Sequence, residues 1–102
     1  DIESAVSAFF GITPADIHSS KKDTTVSIAR SFSMYLARKY TDMSFPEIGR
    51  LMGNKNHATV ILACRKIEDL LKGNLQVNWQ SAAGNRVAKA QDIIAQLGES
   101  FA

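Results

Sequence analysis

The residues whose types and spacing could do chemistry lie between 44 and 71. Ser44-Phe45-Pro46-Glu47 has the Ser-x-x-Glu spacing of a capping box, in which the hydroxyl accepts from the Glu47 amide and the carboxylate accepts from the Ser44 amide. It marks the start of a helix of about two turns that ends at Gly53. Asn54-Lys55 completes a turn, and Asn56 carries the acceptor needed to cap a second, longer helix. That spacing predicts a helix-turn-helix over about 44–71. At about 100° per residue, Val60, Cys64, Ile67 and Leu71 fall in a narrow arc and must face the core. Lys55, Thr59, Leu62 and Lys66 fall opposite, with Ala58 and Arg65 beside them. Small side chains at 58 and 59 let the backbone approach base edges, and Lys66 follows two turns later, where a phosphate would sit. The chemistry on offer is recognition by hydrogen bonds and charge in the major groove of duplex DNA.

Other chemistries find too few residues. His57 and Cys64 lie seven positions apart and lack further ligands for a structural zinc, so neither a metal nor any other cofactor is expected. Cys64 sits on the core arc and reads as a small buried hydrophobe. His18 reads as a surface residue, and His57 is open on spacing alone: it could close a cap, fill the corner between the helices or face a base. Gly49 to Lys55 has the wrong glycine spacing for a phosphate loop and follows a helix rather than a strand. No Ser-His-Asp set or pair of carboxylates flanks a cleft, so the chain is not expected to be an enzyme. Lys21-Lys22 reads equally well as a solvated loop or as a basic arm reaching an adjacent minor groove.

Those residues need a scaffold, and 102 residues with 45% apolar content suffice for one domain, 1–102, with one core. The net charge of +2 is unevenly spread: residues 21–72 hold ten Lys and Arg against five Asp and Glu, the footprint of a polyanion-binding face. The longest apolar stretch, Val60 to Cys64, is far shorter than the roughly 20 residues that span a bilayer. A single cysteine fits a reducing interior, so the cytoplasm is expected. Position 1 is not Met, and the chain reads as a piece of a longer protein or a freestanding relative.

The periodicity is helical throughout, and no stretch alternates for long enough to predict a strand. A first helix is expected from about Glu3 to Phe10, with Ala5, Val6, Phe9 and Phe10 inward and Gly11 as its stop. A short turn capped by Thr13 follows, with Pro14 first in the helix and Asp16 near its start. After the polar segment 19–23, Thr24 or Thr25 caps a long helix to about Tyr40, burying Ala29, Phe32, Ser33, Leu36 and Tyr40 and leaving Arg30 and Arg38 free to face a partner or water. Residues 73–80 read as a loop and about 85–97 as a tail helix, with Val87, Ala90, Ile94 and Leu97 inward and Trp79 packing the tail onto the body.

Three segments in register, Ser44-x-Pro46-Glu47-Ile48-Gly49, Asn56-His57-Ala58-Thr59-Val60 and Ala63-Cys64-Arg65-Lys66-Ile67, resemble the C-terminal DNA-binding domain of the bacterial replication-initiator (DnaA) family, whose signatures read SLPEIG, DHTTV and ACRKI. Phe9-Phe10-Gly11-Ile12, Lys21-Lys22 and Ala29-Arg30 through Leu36-Ala37 extend the resemblance to about residues 3–72. It implies an all-α domain built around a Trp-repressor-like helix-turn-helix, here with an additional C-terminal helix. It implies base contacts from Pro46, Asn56, His57 and Ala58 in the major groove and from Lys22 in the minor groove. Phosphate contacts would come from Lys21, Arg30, Phe45 through its amide, Lys55, Thr59 and Lys66. Asn56 stands where the family has Asp, Ala58 where it has Thr, and Lys22 and Lys55 where Arg is usual: an amide that donates and accepts replaces an acceptor-only carboxylate, Ala58 keeps a methyl for a thymine contact but loses the hydroxyl, and point charges replace planar forks.

The expected function is sequence-specific binding of double-stranded DNA at replication-origin sites similar to TTATCCACA, by a monomer, nucleoid-associated in a bacterium, with a separate AAA+ ATPase domain in the parent protein. The alternatives are a related regulator that reads another DNA sequence, or a protein-interaction module that presents Ile61, Leu62 and the tail helix and no longer binds DNA.

Overall fold

The computed structural model describes residues 1–101. Six helices and one hairpin follow in the order α1 (Ile2–Phe10), α2 (Pro14–His18), α3 (Thr24–Tyr40), α4 (Phe45–Leu51), α5 (His57–Lys72), β1 (Gln76–Ser81), β2 (Gly84–Lys89) and α6 (Ala90–Glu99). The fold is mostly helical rather than all-α, because residues read as loop and helix start form a two-stranded antiparallel sheet.

Local chemistry places the helix ends. Asp1 caps α1 through the Ser4 amide, and Gly11 ends it in the left-handed region. Thr13 and Asp16 form a reciprocal capping box on α2. Asp23, not Thr24 or Thr25, caps α3, its carboxylate accepting from the Val26 amide. The Thr25 hydroxyl is engaged elsewhere: it donates to the Gln80 carbonyl and accepts from the Gln80 amide, both at 3.0 Å, joining α3 to β1.

The hairpin corrects the tail. Val77 and Trp79 alternate with exposed Gln76, Asn78 and Gln80, a period-two pattern only five residues long. Its register pairs Val77 with Ala88 and Trp79 with Arg86. The connecting residues are Ala82-Ala83 rather than a glycine pair, and the positive φ of 110° falls on Gly84. Val87, expected on the inner face of a helix, therefore lies on β2 and is 48% exposed. Helix α6 starts at Ala90, where the Ala90 amide donates to the Leu75 carbonyl at 2.9 Å. Ala90, Ile94 and Leu97 are buried as the periodicity implied, joined by Ile93.

The core gathers all these elements. Phe10 lies between Phe32 and Trp79, with ring centroids 5.7 and 5.1 Å away, and Phe9 stands 5.4 Å from the indole. Trp79 thus fastens the hairpin to α1 and α3. Tyr40 departs from the expected stripe: at the last turn of α3 it is 44% exposed and leans on Phe101.

Candidate nucleic-acid interface

Helices α4 and α5 form the helix-turn-helix. The capping box at its entry is complete, with Glu47 N–H to Ser44 Oγ at 3.2 Å and Ser44 N–H to Glu47 Oε1 at 2.9 Å. Those bonds to Ser44 hold the Glu47 carboxyl below its usual value. Gly53 and Asn54 then take positive φ of 89° and 59°, so two successive left-handed residues turn the chain. Lys55 N–H donates to the Gly49 carbonyl at 2.7 Å, and Asn56 Oδ1 caps α5 through the Ala58 amide at 2.8 Å. Gly53 also lies so close to α2 that a Cβ there would stand 2.1 Å from the His18 carbonyl oxygen. The turn is therefore locked on both sides.

Helix α5 buries Val60, Cys64 and Ile67, with Leu71 half-buried against the core. Burial raises the pKa of the Cys64 thiol, the behaviour of a small hydrophobe. Asn56, His57, Ala58, Thr59, Arg65 and Lys66 are exposed, and Leu62 is 64% exposed. His57 closes no hydrogen-bonded cap, because Asn56 occupies that position. Pro46 is exposed on the first turn of α4, and Phe45 holds the first helical position, where an N–H has no intrahelical acceptor.

The cationic positions divide into two kinds. Lys22 and Lys66 are exposed, and their ammonium groups make no hydrogen bond or ion pair among the described residues. Lys21 reaches Asp16 Oδ1 at 2.8 Å, a contact that lowers the Asp16 pKa and raises that of Lys21. Lys55 Nζ donates to the Ser19 carbonyl at 2.8 Å; burial and the nearby Arg30 charge lower its pKa.

Arg30 is not free, contrary to the helical-wheel expectation. Its guanidinium donates to the carbonyls of Ile17 at 2.7 Å, Ser19 at 2.8 Å, and Asp16 and Lys21 at 3.2 Å each. Arg38 is likewise engaged, bonding the Met43 carbonyl at 3.0 Å and stacking 4.4 Å over the Phe45 ring. A wheel assigns direction from the helix alone, and here neighbouring loops fold over the off-stripe side chains. His18 is also drawn in, half-buried with a ring nitrogen against the Glu3 carboxylate. Among the described residues no group of three or more His, Cys, Asp or Glu could hold a metal ion, and no helix is long and apolar enough to cross a membrane.

A short capped helix, a glycine turn and a second helix with a polar exposed N-terminal end define a helix-turn-helix domain. The family model for the bacterial DnaA protein helix-turn-helix matches residues 1–67, and the chain belongs to that family. Similar proteins include chromosomal replication initiator proteins DnaA of Clavibacter sepedonicus, 42% identical over 72 residues, and of Streptococcus mutans, 42% identical over 71. That of Burkholderia multivorans is 40% identical over 80 residues. These matches cover 71%, 70% and 78% of this chain but only 15%, 16% and 15% of the respective relatives.

Proposed function

We propose that the chain binds duplex DNA specifically at replication-origin sites similar to TTATCCACA, inserting the start of α5 into the major groove. The observation that carries this is the unbroken exposed run Asn56-His57-Ala58-Thr59 at the N-terminal end of a helix held by a capped partner helix and a locked turn. In this reading Pro46, Asn56, His57 and Ala58 meet base edges and Lys22 enters the minor groove. Lys21, Arg30, Phe45, Lys55, Thr59 and Lys66 meet phosphates, Arg30 with the one guanidinium hydrogen its carbonyl ligands leave over. A monomer suffices for an asymmetric site, and the ATPase domain belongs to the parent protein. Helix α6 turns Ala90, Ile93, Ile94 and Leu97 into the core, so Leu62 has no adjoining apolar helix of the kind a protein-interaction module would need.

Fluorescence anisotropy with a duplex containing TTATCCACA and a scrambled duplex tests the reading. Preference for the box, with log K falling against log salt at a slope of about −4 to −5 from about five neutralised phosphates, is the expected result. Equal, salt-sensitive binding to both duplexes would retain a DNA-binding scaffold that reads another sequence. A flat salt response would remove DNA binding altogether.

Asn56 has two tasks that one substitution separates. Its Oδ1 caps α5 and its amide hydrogens remain available for a base acceptor. Asn56→Asp keeps the cap, since Asn and Asp cap about equally well, but replaces a donor with an acceptor suited to cytosine N4. Unfolding stability should stay within about 0.5 kcal/mol of the parent while the preferred base changes by about 1–3 kcal/mol in a randomised-duplex selection. An unchanged preference would confine Asn56 to capping.

A further inference from the structure

The hairpin lies beyond residues 1–67, the part matched by the family, and its position beside the lysines of the interface gives it a role. A groove of about 390 Å³ brings together Lys22 before α3, Thr24 and Ser27 on α3, Lys66 on α5, and Gln76 and Asn78 on β1. No carboxylate lines it. Two acids adjoin lining residues in sequence: Asp23, whose side chain turns to the Val26 amide as the cap of α3, and Asp69, an exposed residue of α5 next to Leu70. Residues 70–91 contain no Asp or Glu while Lys72, Arg86 and Lys89 are basic, so the hairpin approaches the interface without negative charge. The strand's alternation puts Val77 and Trp79 into the core and holds Gln76 and Asn78 outward on a backbone anchored by Thr25.

We propose that the outward face of β1, through Gln76 and Asn78, is a second DNA-contacting surface that hydrogen-bonds phosphodiester groups flanking the recognised site. The inference rests on the DNA-binding reading above. DNA that meets both Lys22 and Lys66 runs past the mouth of this groove, where two carboxamides supply N–H donors and no carboxylate is among the lining side chains. Neutral amides displace no counterions, so in the unaltered chain they add affinity and positioning without steepening the salt dependence.

Two measurements test it. Gln76→Lys/Asn78→Lys should steepen the salt slope by about 2 and tighten binding to the box within a longer duplex roughly tenfold at moderate salt. Gln96→Lys/Ser100→Lys, which adds the same charge at exposed positions on α6 and just after it, beside α1, should not. In the second, Asn78→Cys carries an iron chelate that cleaves nearby DNA; Cys64 is buried, so the new thiol takes the label. Cleavage confined to one flank of the box supports the proposal. Normal box binding with no cleavage, or equal slope changes in both lysine variants, overturns it and leaves the DNA-binding reading standing. If the unaltered chain does not bind the box duplex, both fall.

Discussion

Replacing Gly49 with alanine is expected to destabilise the domain by about 3 kcal/mol, the upper part of the range for forcing extra atoms into a packed interior. A Cβ at Gly49 would stand 2.2 Å from the Lys55 carbonyl oxygen and 3.2 Å from its carbon. Both atoms are backbone, so no side-chain rotation relieves the clash; the turn from Met52 to Asn56 must move. The same displacement lengthens the 2.7 Å bond from Lys55 N–H to the Gly49 carbonyl and swings the start of α5 away from α4. Binding to box DNA should fall by more than tenfold, because the exposed 56–59 run loses its fixed angle to Pro46 and Lys22. Gly98→Ala is the matched comparison. There the new Cβ meets the Tyr40 hydroxyl at 2.9 Å, the far end of a side chain already 44% exposed, and alanine favours the helix. Urea unfolding of the two variants should separate them clearly. Equal midpoints would show that the α4–α5 turn has slack the geometry does not reveal.

The parts of the fold legible in the sequence are those governed by short-range chemistry. The Ser44–Glu47 box, the Thr13 cap and the Asn56 cap each depend on atoms within three residues, and the structure contains each at the expected position. The buried arc of α5 follows from helical period alone. The hairpin was not legible because its stability is not local. Trp79 packs on Phe9 and Phe10 and the Gln80 backbone is held by the Thr25 hydroxyl, fifty or more residues away, and the Ala82-Ala83 turn lacks the Asn-Gly type of signal. The alternation from Gln76 to Gln80 was the one available sign, and five residues of it looked no different from a loop containing a tryptophan. In the candidate interface, residue types nominated the exposed positions on α5. They could not show that the groove beside Lys66 is walled by β1, or that three of the nominated cations are already tied to protein oxygens.

Of those three, Arg30 is the one whose removal should be felt most. Arg30→Ala is expected to lower stability by about 3 kcal/mol, since it deletes a charged donor that bonds four carbonyls and strands the oxygens that lie away from water. The carbonyls belong to residues 16–21, so the guanidinium is the pin around which the end of α2 and the basic loop are wound. Burial lowers its pKa, yet Arg starts so high that it stays charged at any pH at which the domain folds. Loss of the pin should free the Lys21-Lys22 segment, also loosening Lys55, whose ammonium is held by the Ser19 carbonyl. DNA affinity then falls through disorder of the loop as well as loss of charge. Arg30→Lys distinguishes the two contributions: it keeps the charge, but an ammonium cannot span four carbonyls arranged for a planar fork. If Arg30 acted only as a phosphate contact, the lysine variant would retain stability and much of the binding. The geometry predicts instead that Arg30→Lys is nearly as unstable as Arg30→Ala, with faster amide hydrogen exchange over residues 17–23 in both.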